Sequence, residues 1–322
     1  MKKIKLILPY FGKKFPQTFP LLLHSLSVNC KVNFLIFTNI HDPILNKYNG
    51  GNIAVEYTKL ADIKKLATKK LNFEVNLNTP YKLCDFKPFY GLIFEDYLGD
   101  ADWWGYFDSD IIFGDLNSFV ETDLFTKYER IFTHGHLTFY KNIPNVNKIV
   151  LKDFHLRAIP TYRRVLADKE IYGFDEWGFG KNKGRGLSWA INKTKLIKQY
   201  DNINLFADIL PEHFNFETTS DKKLKYFVYE NGHIIGKTQD NEDCEFLYVH
   251  FQKRPMLFNE IDIAKKIYVK PNYFSNKFNI NLAKEENGRW QQFYIKSRIK
   301  HVLKNLNLNY LRKRVSFLNS EK

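Results

Sequence analysis

Asp108 and Asp110 stand one residue apart in WWGYFDSDIIFGDL, residues 103–116, straight after one aromatic run and straight before an apolar one. Two acids so close repel each other, and the pair is costly unless something cationic lies between them. A divalent ion such as Mn2+ or Mg2+, itself carrying a diphosphate, meets that need with oxygen ligands. The alternative is a solvated Asp-Ser-Asp turn; the hydrophobic tract before the acids and the Ile-Ile-Phe after them favour the metal. His250, late in the chain, ends an apolar tract and offers a nitrogen donor that suits Mn2+. Lys253 and Arg254 follow it, fixed cations of the kind that neutralise a leaving diphosphate. A lone strand-end histidine is more often structural, so the three parts carry weight only together.

Those side chains need a frame. Trp103–Phe107 reads as a buried strand, too short and too aromatic for a surface helix. A strand ending there presents both acids at its carboxyl edge, where ligands sit in open α/β sheets. Lys3–Leu8, Val32–Thr38 and Ile53–Tyr57 read as further strands, with helices at Phe19–Ser27 and around Leu60–Leu71. This alternation predicts an α/β fold with a mostly parallel central sheet flanked by helices. The strand ends at Pro9–Gly12 and Thr38–Asp42 would border one crevice with Asp108 and Asp110, which makes Pro9, Tyr10 and Asn39 candidate cofactor contacts. Thr79-Pro80 opens a helical run, with Thr as cap and Pro in the first turn, and Pro88 divides it into two pieces. Lys82, Asp85 and Lys87 cluster at that joint among core-like aromatics, which favours lining a site over a solvated face. Ile131–Tyr140 reads as one strand and Phe246–Phe251 as another.

The bulk properties narrow the class. A chain of 322 residues, 44% hydrophobic and 26% charged, has the make-up of a folded globular protein with room for one large α/β domain. Cys30, Cys84 and Cys244 have no paired spacing, which argues against a zinc site or a disulfide framework and for a reducing compartment. Ile4–Leu8 is too short for a signal-peptide core, and no run approaches the roughly 18–20 apolar residues of a membrane span; a cytoplasmic protein is expected. A net charge of +14 implies an anionic partner: nucleotide, nucleic acid or an acidic membrane face. From Arg289 to the end, nine Lys or Arg stand against one Glu. Ile295, Ile299, Val302, Leu303 and Leu306 would share one helical face there. Such a basic amphipathic helix binds an anionic membrane surface or packs on the domain.

With ILPYFG, YKLCDFKPFYG, WWGYFDSDIIFGDL and LYVHFQKRP on the page, the chain resembles the GT-A fold nucleotide-sugar glycosyltransferases that build bacterial capsular and other surface polysaccharides. The resemblance runs from about residue 3 to 255. It implies a GT-A (Rossmann-like) catalytic domain over 1–285, with a nucleotide-sugar half at 1–115 and an acceptor half at 116–285, followed by a basic helical tail over 286–322. It implies that Asp108 faces the ribose and metal, that Asp110 holds metal at the diphosphate, and that His250 and Lys253 resemble a third metal ligand and a diphosphate contact. The donor implied is a nucleotide diphosphate sugar, UDP-linked by default, and the acceptor a glycan or a lipid-linked sugar. A lipid-linked acceptor would put the protein at the inner face of the plasma membrane.

Inverting transfer needs a carboxylate that deprotonates the acceptor hydroxyl opposite the leaving nucleotide. Asp175 and Glu176 are the candidates, Asp175 preferred; a retaining enzyme needs neither, and the outcome stays open. Trp177 and Phe179 either stack on an acceptor sugar or pack. Lys181, Lys183 and Arg185 either close on diphosphate or are surface charge, and His134 and His136 either line the donor pocket or are structural. Three rival readings remain, one of them a degenerate, non-catalytic sugar-binding relative, against which the presence of both aspartates argues only weakly. A sugar nucleotidyltransferase also uses paired carboxylates, but Ile7–Lys14 carries only Gly12 where a phosphate loop would be glycine-rich. A non-catalytic nucleic-acid-binding protein fits the charge, but no such motif is present and no nucleic acid is expected.

Overall fold

The computed structural model describes residues 2–179, 184–211, 213–252, 254, 256–258, 261–278, 290, 292, 294–296 and 299. The chain forms two compact units that alternate along the sequence. The first comprises Met1–Pro16, Asn29–Ser109 and Leu116–Asn202; the second comprises Gln17–Val28, Asp110–Asp115 and the described residues of Ile203–Lys322.

The first unit is built on strands β1 (Ile4–Tyr10), β2 (Val32–Thr38), β3 (Ile53–Tyr57) and β4 (Trp103–Phe107). After β5 (Ile111–Phe113), which belongs to the second unit, β6 (Arg130–His134), β7 (Leu137–Lys141) and β8 (Gln199–Tyr200) complete it. They form one seven-stranded sheet in the order β3-β2-β1-β4-β7-β6-β8. The first four run parallel, with Ile4 opposite both Val32 and Trp103; β7 is antiparallel to β4 and β6. All five residues of β4 are buried, which explains its uninterrupted apolar run: a strand covered on both faces has no polar alternation. At its centre, a Cβ on Gly105 would lie 2.2 Å from the Thr138 carbonyl oxygen and 2.6 Å from Leu6 Cδ2. Only glycine lets these strands close. The helix Leu60–Leu71 buries Ile63, Ala67 and Leu71, one stripe at four-residue spacing, and that stripe shares a core with Leu83, Phe86, Phe89, Tyr90 and Ile93.

Two local expectations in this unit need correction. The run after Thr79 is a chain of short turns rather than two helical pieces: Pro80–Lys82, Leu83–Phe86, Lys87–Phe89, Tyr90–Ile93 and Glu95–Leu98. Pro88 has no N–H to give an α-helix, and the chain around it tightens to a 3-10 turn. Ile131–Tyr140 is a hairpin, β6 and β7 joined through Gly135-His136, with the register shifting after Ile131 and Phe132 at φ 65°. Its aromatic and β-branched residues continue through the turn and hide it.

In the second unit, β5, β14 (Tyr248–His250) and β9 (Ala207–Asp208) form a three-stranded sheet. A larger sheet runs β13-β12-β11-β15-β16, with β10 also on β11. Its strands are β10 (Phe216–Glu217), β11 (Lys223–Glu230), β12 (His233–Thr238), β13 (Asp243–Phe246), β15 (Ile267–Val269) and β16 (Phe274–Ser275). The single strand expected over Phe246–Phe251 is therefore divided. Phe246 pairs with Ile234 in the larger sheet, Tyr248 pairs with Phe113 in the smaller, and Leu247 is where the chain passes between them. Its N–H bonds the Leu205 carbonyl at 2.8 Å and its carbonyl accepts from the Gly114 N–H at 2.7 Å, so the crossing leaves no backbone group unsatisfied there. Phe216, Leu224, Phe227, Phe246 and Val249 form the core of this unit. Among the described residues no helix is long and apolar enough to cross a membrane. The tail expected over 286–322 lies mostly outside the described residues; Trp290, near its start, is buried beneath the Arg254 guanidinium at 4.2 Å from the ring centre.

Candidate functional site

In the first unit, β4 delivers Asp108 one residue past its end, and the Asp108 N–H bonds the His136 carbonyl at 3.0 Å. Lys87 Nζ lies 2.7 Å from Asp108 Oδ1 and 3.3 Å from Asp175 Oδ2, and donates to the Gly135 carbonyl at 2.7 Å. One buried ammonium therefore joins two of the acids expected to do chemistry. Burial works against the charge on Lys87, but Asp108 and then Asp175 overcome it and hold the ammonium well above the ordinary lysine range. Asp175 is itself only 3% exposed. Burial pushes its carboxyl up to about 7; Lys87 partly offsets this, and Glu176 and Asp108 add to the rise. The Asp175 carbonyl accepts from Tyr106 Oη at 3.2 Å and from the Arg130 guanidinium at 3.4 Å.

In the second unit, Asp110 precedes β5 and its carbonyl accepts from the Phe251 N–H at 2.9 Å. His250 Nε2 faces Asp110 Oδ1 at 3.5 Å, while Nδ1 is 2.7 Å from Asp208 Oδ1. Asp208 also accepts from Gln252 Nε2 at 2.8 Å, which fixes the carboxylate. A carboxylate on Nδ1 orients the ring and aims Nε2, an arrangement typical of metal-bound histidines. Burial alone would lower the His250 pKa, but Asp110 and Asp208 raise it to about 10, so the metal-free ring is an imidazolium between two carboxylates. The donor set fits a divalent ion: the position holds positive charge already, and the ring can exchange its proton for metal.

A cleft of about 680 Å³ opens in the first unit beyond the carboxyl ends of β1, β2 and β3. Pro9 and Tyr10 close β1, and Phe11 and Gly12 after them line the cleft, as does Asn39 after β2. Asn39 and Gly12 clasp each other: the Gly12 N–H donates to Oδ1 and Nδ2 donates to the Gly12 carbonyl, both at 2.9 Å. His41 and Tyr57, also lining it, stack at 4.3 Å and 12°.

The remaining expected residues divide. Lys82 and Asp85 are buried and paired at 2.8 Å, with their other bonds going to backbone, so their charges are met within the protein. Arg254 is likewise buried, and its guanidinium donates to the carbonyls of Pro271, His213 and Phe214. Glu176 is half-buried, and Trp177 and Phe179 are exposed. His134 and Thr133 share Asp201 Oδ2, at 3.1 and 2.6 Å. Lys253, Lys181 and Lys183 lie outside the described residues.

Sequence reasoning missed Asp208 and Gly135. Asp208 sits in a two-residue strand with no periodicity to announce it; the apolar Phe206-Ala207 before it was the one signal. Gly135 lay inside a run read as continuous strand.

The galactosyltransferase LgtC, solved with donor and acceptor sugar analogues, is similar over 63% of this chain and 75% of its own, at 11% identity and a TM-score of 0.37. Mouse xyloside xylosyltransferase 1, in its apo form, is similar over 65% and 87%, at 7% identity and a TM-score of 0.37. The glycosyltransferase GlyE of Streptococcus pneumoniae TIGR4 is similar over 44% and 35%, at 14% identity and a TM-score of 0.29. No curated protein matches the chain. One family model matches residues 6–278, and the chain thereby belongs to DUF6625, a family of unknown function.

Proposed function

We propose that the protein is a metal-dependent glycosyltransferase. It moves a hexose from a nucleotide diphosphate sugar, UDP-linked by default, to a glycan or lipid-linked acceptor in bacterial surface polysaccharide synthesis. The observation that carries the reading is the His250 imidazole, oriented by Asp208 with Nε2 toward Asp110, two residues after an Asp108 that pairs with Lys87.

Asp108, Asp110 and His250 would hold the ion, and Mn2+ or Mg2+ bound there supplies Lewis-acid stabilisation of the departing diphosphate. The chain's own residues do the rest. Phe11, Gly12 and Asn39 line the cleft for the nucleoside, just past Pro9 and Tyr10, with the His41–Tyr57 stack as a flat wall and the Asn39–Gly12 clasp fixing the loop. Asp175, with a carboxyl near 7, is suited to take the acceptor proton at neutral pH. Glu176, more exposed, is the second candidate. Lys87 balances Asp108 and Asp175, and Lys82 and Asp85 act on the Asp175 loop rather than on ligand. Trp177 and Phe179 offer aromatic faces to an acceptor sugar. Lys253 is a diphosphate contact on the strength of the sequence resemblance alone. The basic tail supports a cytoplasmic protein held at the inner membrane face, since each Lys or Arg near anionic lipid contributes roughly 1 kcal/mol.

Calorimetry with UDP, GDP, CDP and TDP, with and without Mn2+, on wild type and Asp110→Ala, tests the reading. Metal-dependent binding of one nucleotide, lost in the variant, is the expected result. A folded protein that binds none of the four overturns it.

A further inference from the structure

We infer that Lys82, Asp85 and Lys87 form a single positioning device for Asp175, gripping its loop by backbone and by carboxylate from one short helical run. This rests on the reading of Asp175 as the residue that takes the acceptor proton. The first grip is on the backbone before Asp175. Asp85 Oδ1 accepts from the Phe174 N–H at 3.0 Å, and the Tyr172 N–H reaches Oδ1 and Oδ2 at 3.2 and 3.0 Å. Two N–H groups so near in sequence converge on one carboxylate because Gly173 between them takes φ 60°, a left-handed turn that glycine adopts without steric cost. The result is a small backbone nest for an anion, filled by the protein's own Asp85.

The second grip is on the chain that leads into the loop. Lys82 Nζ holds Asp85 Oδ2 at 2.8 Å and donates to the carbonyls of Val165 and Glu170. Val165 lies in the helix Tyr162–Ala167, whose last carbonyls have no partner within the helix. Tyr172 adds its ring, 5.3 Å from Lys82 Nζ, and its hydroxyl bonds Asp168 Oδ2 at 2.7 Å. The third grip is on the carboxylate itself: Lys87, two residues past Asp85, lies 3.3 Å from Asp175 Oδ2.

The mutual attraction of the ion pair does not account for this arrangement. Lys82 and Asp85 are 2% and 0% exposed, and well-packed apolar residues commonly replace such a buried pair without loss of stability. What apolar residues cannot supply is direction. They offer no acceptor for the Tyr172 and Phe174 N–H groups and no donor for the Val165 and Glu170 carbonyls, so the loop would lose its fixed approach to Lys87.

The decisive variant is the apolar double replacement Lys82→Met with Asp85→Leu. Thermal unfolding, nucleotide binding, donor KM and kcat are measured beside wild type. The expected result is a folded protein with Mn2+-dependent nucleotide affinity and donor KM within about twofold of wild type and kcat at least tenfold lower. A folded double variant with wild-type kcat overturns the inference. If the double variant does not fold, Asp85→Asn keeps the shape and one acceptor but removes the negative charge that pairs with Lys82; a kcat at least threefold lower at unchanged KM supports the device, and wild-type kcat overturns it. If wild type neither binds nucleotide nor transfers sugar, the glycosyltransferase proposal fails and the device is read by amide exchange. Exchange at Asp175 and Glu176 at least tenfold faster in the folded variant than in wild type sustains it, and equal rates overturn it.

Discussion

A Cβ on Gly135 would stand 2.5 Å from Asp175 Oδ2, so the carboxylate fills the space that any other side chain at 135 would need. The same glycine gives its carbonyl to Lys87. The turn between β6 and β7 is thus shaped around the acid, and the acid cannot retreat because Lys87 holds its charge and Tyr106 its carbonyl. Gly135→Ala should therefore lower stability by about 1–3 kcal/mol, the usual cost of forcing atoms into a filled site. It should reduce turnover at least tenfold while leaving Mn2+-dependent nucleotide binding near wild type. Denaturant unfolding, calorimetry and steady-state kinetics on one preparation check all three.

Asp175 makes stability depend on pH with a definite sign. Its folded carboxyl sits near 7 against an ordinary 3.8, so between those values the native state binds the proton that the unfolded state has released. Stability from this group is highest below about pH 4 and falls as pH rises to about 7, where the fold must bury a carboxylate. Wild type should lose stability over that window relative to Asp175→Asn, in which the slope disappears. Parallel urea titrations from pH 4 to 8 would show it, and coincident slopes would count against the assignment.

At the second cluster, metal must displace a proton. The His250 ring, with a pKa near 10 in the metal-free protein, has to deprotonate before Nε2 can bind an ion. Mn2+ affinity should climb by about tenfold per pH unit between pH 7 and 9, with about one proton released. Calorimetry in buffers of different ionisation enthalpy counts that proton. His250→Asn should bind more weakly and without the slope. Asp208→Asn, which leaves all three proposed ligands in place but loosens the ring, should cost about 10–100-fold in affinity.

The Asn39–Gly12 clasp predicts a separation of effects. Asn39→Ala removes two exposed hydrogen bonds, so its stability cost should stay at about 1 kcal/mol or less. Nucleotide affinity should fall at least fivefold if the clasp shapes the cleft. Unfolding and calorimetry on that one variant test both.

The strands that carry the site were readable because burial on both faces writes itself into composition: β2 and β3 and the helix Leu60–Leu71 have the limits their apolar patterns predict. The Asp-x-Asp at the end of β4 was readable for the same reason, since charge directly after a fully buried strand is locally conspicuous. What could not be read was where charges end up. Lys82 and Asp85 looked like site residues because they are charged among aromatics, yet their partners lie more than eighty residues later, at Val165 and Tyr172–Phe174. Arg254 misled in the same way, its donors meeting carbonyls of Pro271, His213 and Phe214. The hairpin at Gly135-His136 and the change of sheet at Leu247 were hidden by residues that suit strands on both sides of the break.

The excursion that follows Asp175 is closed at its own base. Gly178 bridges to Arg185, the Gly186 N–H bonds the Trp177 carbonyl at 3.0 Å, and the Ser188 N–H bonds the Glu176 carbonyl at 3.0 Å. The base of the excursion is also tied to the acid: the Leu187 N–H bonds the Phe174 carbonyl at 2.9 Å, and Ser188 Oγ accepts at 2.8 Å from the Arg130 guanidinium that donates to the Asp175 carbonyl. Sequence between Gly178 and Arg185 can therefore vary while the hydrogen bonds that join Phe174–Trp177 to Gly186–Ser188 stay as they are.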